Sequence, residues 1–295
     1  MLHLGAAPRQ FGKDLYAKIK QDRITNGAAA LAFYWMLALF PAAIFLLTLL
    51  PYLPIQDLER AIMDALKQAM PGDAANMFEE TVRNIVSNRQ AGLLSFGLLF
   101  TIWSASSGLF AVMEELNAVH RVEERRPFWK VRGIALLLTL ACFVLVIGAL
   151  ALAIAGGAVQ DRVGAVLGFS QVLLFFFSVV RWVIIAGALM LALAVVYHYG
   201  PTVKPYRLRL VTPGTVAGTL ALALASLVFK VYVGHFGSYD KTYGSLGAVI
   251  ALLMWLFVTG FVLLFGAEVD VVAQTTRSRR IDRSNKAAGS YAQPA

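Results

Sequence analysis

The chain has 295 residues, 59% hydrophobic and 15% charged, with 26 Lys and Arg against 17 Asp and Glu for a net charge of +9. A soluble domain carries about 25% charged residues, so the composition excludes an ordinary soluble domain. A basic surplus suggests nucleic acid in a soluble chain; in a membrane chain it marks the segments held on the cytoplasmic side.

Residues 1–26 are polar and basic. Residues 9–26 read as a short amphipathic helix with Phe11, Leu15, Ile19 and Ile24 near one face. It is either a membrane-surface anchor or a solvated leader. Six stretches nearly free of charge follow: Gly27–Leu50, Ala91–Met113, Gly133–Gln160, Val163–Val203, Leu210–Phe229 and Thr242–Ala267. Each reaches the roughly 20 residues a helix needs to cross a bilayer. Span one is too long for the apolar core of a cleaved signal peptide and acts as an uncleaved insertion signal. The expected fold is an all-α integral membrane protein with six transmembrane helices. One membrane domain occupies residues 27–272.

Span one contains Pro41, which removes a backbone donor and crowds the carbonyl of Leu37; a kink is expected there. Pro51 and Pro54 end the helix. An insertion of residues 55–90 then carries two apolar stripes. Leu58, Ile62, Leu66 and Ala69 form the first, and Phe78, Val82, Ile85 and Val86 the second. Pro71-Gly72 separates them, and Asp73 is an N-cap. This external amphipathic pair either covers the bundle mouth, rests in headgroups or docks a partner.

Span two holds Thr101 to Gly108, rich in small and hydroxylated residues, with Ser104 and Gly108 as a small-xxx-small pair for close helix packing. Span three contains Cys142, the single cysteine, a small packed residue rather than half of an intrachain disulfide. The 41 residues of Val163–Val203 have room for two spans, interrupted only by Arg181. Gly164, Gly168, Ser170 and Gln171 read instead as an interfacial entry to one span, from about Leu173 to Tyr199. Span five opens on Pro213-Gly214 and gives Gly214-xxx-Gly218. Tyr232, Phe236, Tyr239 and Tyr243 suit an interfacial belt before span six. Residues 273–295 form a basic tail, read as disordered from about Thr275.

Eighteen of the 26 basic residues fall in the leader, the segments after spans two and four, and the tail; seven fall in the alternate segments. This alternation puts both termini in the cytoplasm.

Little in the chain resembles catalytic machinery. His3, His120, His198 and His235 are scattered, one cysteine makes no Cys-rich zinc site, and no phosphate loop or dinucleotide fingerprint occurs. Ser104, Ser106 and Ser107 lack a nucleophile-elbow setting. No catalytic residue, metal or cofactor is expected, nor is nucleic-acid binding. Polar groups inside spans are the stronger candidates, because burying charge in lipid is costly. Arg181 either snorkels outward or faces a polar cavity suited to an anion. Glu268 and Asp270 end span six; Glu114, Glu115 and Asn117 end span two. Arg125, Arg126, Arg132 and Arg207 belong to the same level, as ion-pair partners or as lipid-headgroup contacts. Such a network either locks the bundle or gates it. Candidates for a substrate path or gate are therefore Arg181, Pro41, Ser104, Glu268, Asn117 and Tyr243.

Several motifs then stand together: Ala29-Ala30-Leu31-Ala32-Phe33-Tyr34 with Leu39-Phe40-Pro41; Trp103-Ser104 through Gly108; Leu116-Asn117; and Arg126-Pro127-Phe128-Trp129. Further on come Tyr199 with Pro201, Pro213-Gly214, Tyr243-Gly244-Ser245-Leu246-Gly247, Trp255 and Gly266-Ala267-Glu268. Over about residues 10–272 the chain resembles the YihY / virulence factor BrkB family, with Ala38 where Ser is common. The resemblance implies a six-helix bacterial inner-membrane protein. It also implies links to serum resistance and, for some members, envelope lipid export. The family's "ribonuclease BN" label is widely regarded as a misassignment, and no agreed catalytic residues exist to carry over. The expected function is a non-enzymatic transporter or export factor for an anionic or amphiphilic envelope component. A structural envelope scaffold is the alternative, and a membrane-bound ribonuclease the weakest reading. Membrane lipids are the expected partners and envelope proteins candidate ones; the oligomeric state stays open.

Overall fold

The computed structural model describes residues 8–49, 91–167, 171–203, 209–235 and 245–290. Every regular element among them is a helix. In chain order these are α1 (Pro8–Gln21), α2 (Ile24–Leu49), α3 (Ala91–His120), α4 (Phe128–Leu167), α5 (Gln171–Tyr199), α6 (Pro213–His235) and α7 (Ser245–Ser290). The insertion read at 55–90, Arg207 and Tyr243 lie outside the described residues.

Each helix from α2 to α7 packs on its described sequence neighbour, and α7 packs back on α2, which closes the set. α7 also reaches α3, and α1 lies against α7. The main core sits where α2, α3 and α7 meet. It is built from Ile24, Leu31, Val112, Leu116 and Leu264, with Val196 of α5. A smaller cluster of Met113, Val131, Ala135 and Leu138 joins α3 to α4.

The chain turns are set by local chemistry. Arg121 follows α3 in the left-handed region at φ 55°. Val122 N–H reaches the Asn117 carbonyl at 3.0 Å and Arg121 N–H the Ala118 carbonyl at 3.0 Å, a Schellman closure. Arg23, at φ 50°, makes the corresponding break between α1 and α2. α6 begins with Pro213 in the first helical position, where its missing donor costs nothing. Thr212 caps it: its hydroxyl accepts from Thr215 N–H at 3.1 Å, and Thr215 Oγ1 accepts from Thr212 N–H at 2.9 Å.

Two helices run past the boundaries read from the sequence. α4 continues through Asp161, Arg162 and Gly164 to Leu167. A glycine inside a helix costs about 1 kcal/mol, which neighbouring turns absorb when no proline stops them. α7 continues to Ser290, through the tail read as disordered. Residues 273–288 hold Ala, Gln, Arg and Lys and no proline or glycine, so nothing ends the helix there. Gln171–Tyr199 is one unbroken helix, and Pro41 lies within α2.

Among the described residues, four helices are long and apolar enough to cross a membrane: Phe128–Val146, Val172–Tyr199, Pro213–Val233 and Val249–Ser278. α2 adds a shorter apolar stretch, Ile24–Leu39. Their outer faces are exposed and apolar. Phe175 is 71% exposed and Trp182 57%, and Leu220, Leu224, Leu227 and Val231 line one face of α6. Soluble monomers rarely expose contiguous apolar surface on this scale; hydrocarbon solvates it without cost.

Candidate functional site

The charged groups gather at the bundle end that carries α1. Four charges alternate there. Arg121, in the turn after α3, donates to Asp22 Oδ1 from Nη2 at 2.9 Å and from Nε at 3.2 Å. Asp22 Oδ2 takes the Lys18 ammonium. Lys18 also lies 3.0 Å from Glu268 Oε2 on α7 and donates to the Val119 carbonyl at 2.8 Å. The Glu268 side chain is fully buried. Both of its oxygens lack an aligned hydrogen-bond donor, so the Lys18 charge is its compensation. Burial alone would lift the Asp22 carboxyl. Hydrogen bonds and charge from Lys18 and Arg121 outweigh it and hold the carboxyl below its ordinary range.

The cations expected at the level of Glu268 are Arg125, Arg126, Arg132 and Arg207, the last outside the described residues. The structure puts Lys18 there instead. The signal was present in the sequence: Lys18 is seven residues after Phe11 and three after Leu15, on the apolar face of α1. A lysine at an inward position of a helix asks for a buried acid.

Asp270 has a separate task. Its Oδ1 accepts from Gly214 N–H at 2.7 Å and its Oδ2 from the Thr212 hydroxyl at 2.7 Å. A carboxylate thus sits on the positive end of α6. Gly214 permits the approach, since a Cβ there would overlap the Gly266 carbonyl and the Asp270 carboxylate. Gly27 does the same for α2, where a Cβ would fall on the Glu115 carboxylate and Leu264.

Asn117 clasps two connections. It is buried at the end of α3, donates to Glu124 Oε2 at 3.1 Å and accepts from Thr202 N–H at 2.7 Å. Arg126 binds Glu124 through two side-chain bonds, at 2.9 and 2.7 Å. It also donates to the Tyr199 and Gly200 carbonyls at 3.2 and 2.7 Å, capping the end of α5. Arg132 turns to α3: its guanidinium lies 3.9 Å over the Trp103 ring and donates to Ser107 Oγ at 2.9 Å and to the Trp103 carbonyl. Arg125 is exposed. Ser104 is half-buried one turn before Gly108, where a Cβ would meet the Trp35 indole of α2 at 2.8 Å.

Arg126 hydrogen bonding, against the opposing effect of burial, holds the Glu124 carboxyl at about 2, below its ordinary 4.5. The folded value lies below the unfolded one. The stabilisation is therefore complete above pH 4.5 and lost as pH falls through 2. Glu124→Gln is expected to flatten the acid limb of thermal stability across that window, read by melting the detergent-purified protein. Parallel acid limbs for the variant and the wild type would contradict it.

Arg181 stands apart from all of these. It lies ten residues into α5, about 15 Å along the helix axis. Its Nε and Nη1 are buried and have no hydrogen-bond partner. A Cβ on Gly157 of α4 would lie 3.0 Å from Nη1. Among the described residues, no group of three His, Cys, Asp or Glu side chains could hold a metal ion.

The family model described as "Virulence factor BrkB" matches residues 15–290. The chain belongs to the virulence factor BrkB family. One relative is the "Putative ribonuclease-like protein YfkH" of Bacillus subtilis (strain 168). It is 32% identical over 262 residues, covering 89% of this chain and 94% of YfkH. A UPF0761 membrane protein of Xanthomonas oryzae pv. oryzae (strain PXO99A) is 27% identical over 265 residues, 88% of this chain and 59% of the relative. Another, from Xanthomonas campestris pv. campestris (strain B100), is 26% identical over 270 residues, 90% of this chain and 60% of the relative. The chain thus spans about three-fifths of the length of these Xanthomonas proteins. No solved structure matches it. Family membership and the apolar helices together make this a membrane protein.

Proposed function

We propose that this BrkB-family protein is a non-enzymatic transporter or export factor for an anionic or amphiphilic envelope component, crossing the bacterial inner membrane six times with both termini in the cytoplasm. Arg181 carries the reading. An ionised side chain inside hydrocarbon is costly and is kept where it meets a partner or a substrate. Among the described residues its buried Nε and Nη1 have no hydrogen-bond partner, which suits an anion from outside as the partner. The ion pairs of Lys18, Arg121 and Arg126 around the ends of α1 and α3 support a cytoplasmic assignment for that end. In this reading Pro41, Ser104 and Tyr243 belong to the path, and Glu268 and Asn117 close its cytoplasmic side. Arg125 and Arg207 hold lipid headgroups.

The ribonuclease-like name belongs to the Bacillus relative. A second reading, a structural envelope protein, is favoured by the interlocked α1 end. Proteoliposomes carrying a fluorescent anionic phospholipid separate the two. Transport that falls about tenfold or more in Arg181→Ala is expected, the loss of one charge-assisted bond. Wild-type protein that moves nothing leaves the structural reading; transport unchanged in Arg181→Ala removes Arg181 from the path.

A further inference from the structure

α4 and α5 pack along their length, and an apolar cleft of about 150 Å³ opens between them, lined by Val144, Gly148, Leu152, Ile184, Ile185 and Ala188 among others. Ile185 forms its floor, buried, while Val144 and Ile184 stand exposed at its rim. The cleft therefore opens onto the apolar outer surface. Ile184 and Ile185 are three and four residues after Arg181, on the same face of α5. On α4, a Cβ on Gly157 would meet the guanidinium at 3.0 Å, and Leu152, about 7.5 Å away along the axis, lines the cleft. The Arg181 guanidinium, whose buried Nε and Nη1 have no hydrogen-bond partner among the described residues, thus lies just beyond one end of a slot lined by hydrocarbon.

We propose that this slot is a binding site for an acidic membrane lipid, entered sideways from the bilayer, with the headgroup phosphate on Arg181 and an acyl chain along the cleft. The charge alone would suit any anion. The cleft selects an amphiphile, since a soluble anion makes no use of an apolar groove that opens to the outer apolar surface. A zwitterionic lipid brings its own cation and gains less from Arg181. The proposal shares with the transport reading the premise that Arg181 takes an anion from outside the chain, but it concerns binding and does not require movement.

Gly148 supplies the test. It lines the cleft, and a Cβ there meets nothing within 4 Å, so Gly148→Leu fills the slot without disturbing the packing. The full chain in detergent is titrated with phosphatidylglycerol, with phosphatidylcholine of the same acyl chains, and with inorganic phosphate. Bound lipid is counted by native mass spectrometry. Phosphatidylglycerol should be retained about tenfold more strongly than phosphatidylcholine. Arg181→Gln should remove that preference, and Gly148→Leu should weaken both lipids while leaving the protein's melting temperature unchanged. Excess inorganic phosphate should not displace the lipid. Equal retention by wild type and Arg181→Gln, no effect of Gly148→Leu, or displacement by phosphate would each overturn the site. Retention without transport in vesicles would end the transport reading and leave this one standing; transport of a soluble anion without lipid retention would do the reverse.

Discussion

Lys18→Met will lower the unfolding free energy by about 3–5 kcal/mol, the range for removing one member of a buried ion pair. The substitution keeps the aliphatic stem and deletes only the ammonium. Asp22 retains Arg121, so its loss is partial. Glu268 retains no cation: its side chain is fully buried and neither oxygen has an aligned donor. The pair is therefore asymmetric. Glu268→Ala should cost less than Lys18→Met, because Lys18 keeps Asp22 and the Val119 carbonyl. Glu268→Gln placed in the Lys18→Met background should recover more than half of the loss, since a neutral amide needs no counter-charge. Thermal melting in one detergent reads all four proteins. Additive losses, with no recovery in the double variant, would show that Lys18 and Glu268 do not depend on one another.

Asp270→Ala should cost about 3 kcal/mol, because hydrogen bonds to a charged group contribute roughly 1.5–3 kcal/mol each and two are lost. The Gly214 donor would be left buried beside the start of α6. Thr212 would lose less, since its hydroxyl still accepts from Thr215 N–H. Gly214→Ala approaches the same joint from the other side. Its Cβ would meet a backbone carbonyl and the Asp270 carboxylate, so α6 must retreat from α7, at a cost of about 1–3 kcal/mol for overpacking. Because both changes break one joint, the double variant should cost clearly less than the sum. Asp270→Ala melting within about 1 °C of wild type would refute the account.

How much of this was legible in the sequence depends on the distance over which the cause acts. The Pro213-Gly214 start of α6 and the inward stripe of α1 are local patterns with local causes, and both are found in the structure; of the six apolar runs, four return as helices long enough to cross a membrane among the described residues. The break after His120 was hidden because a non-glycine residue, Arg121, takes the left-handed position where a glycine would have announced it. The Ser/Gly/Ala-rich end of the chain reads as disordered from its composition, yet α7 runs to Ser290 because residues 273–288 hold no proline or glycine. The pairings were out of reach for another reason. Asp270 and Gly214 are 56 residues apart, and Glu268 lies near the far end of the chain from Lys18. Only the closure of α7 onto α2 brings those ends together, and no periodicity encodes it. Arg132 shows the same limit: its bonds go to Trp103 and Ser107, ten or more residues before Asn117 on α3, and not to the acids at the end of that helix.

That closure has a consequence for how the protein is made. α2 enters the membrane early, yet the buried face it carries at Ala28 and Leu31 is covered by α7 around Gly260 and Leu264. Lys18 likewise waits for Glu268, which is synthesised some 250 residues later. A nascent chain interrupted before the last helix therefore shows a half-empty groove and a stranded lysine, marks by which a quality-control protease or chaperone can tell an unfinished molecule from a complete one.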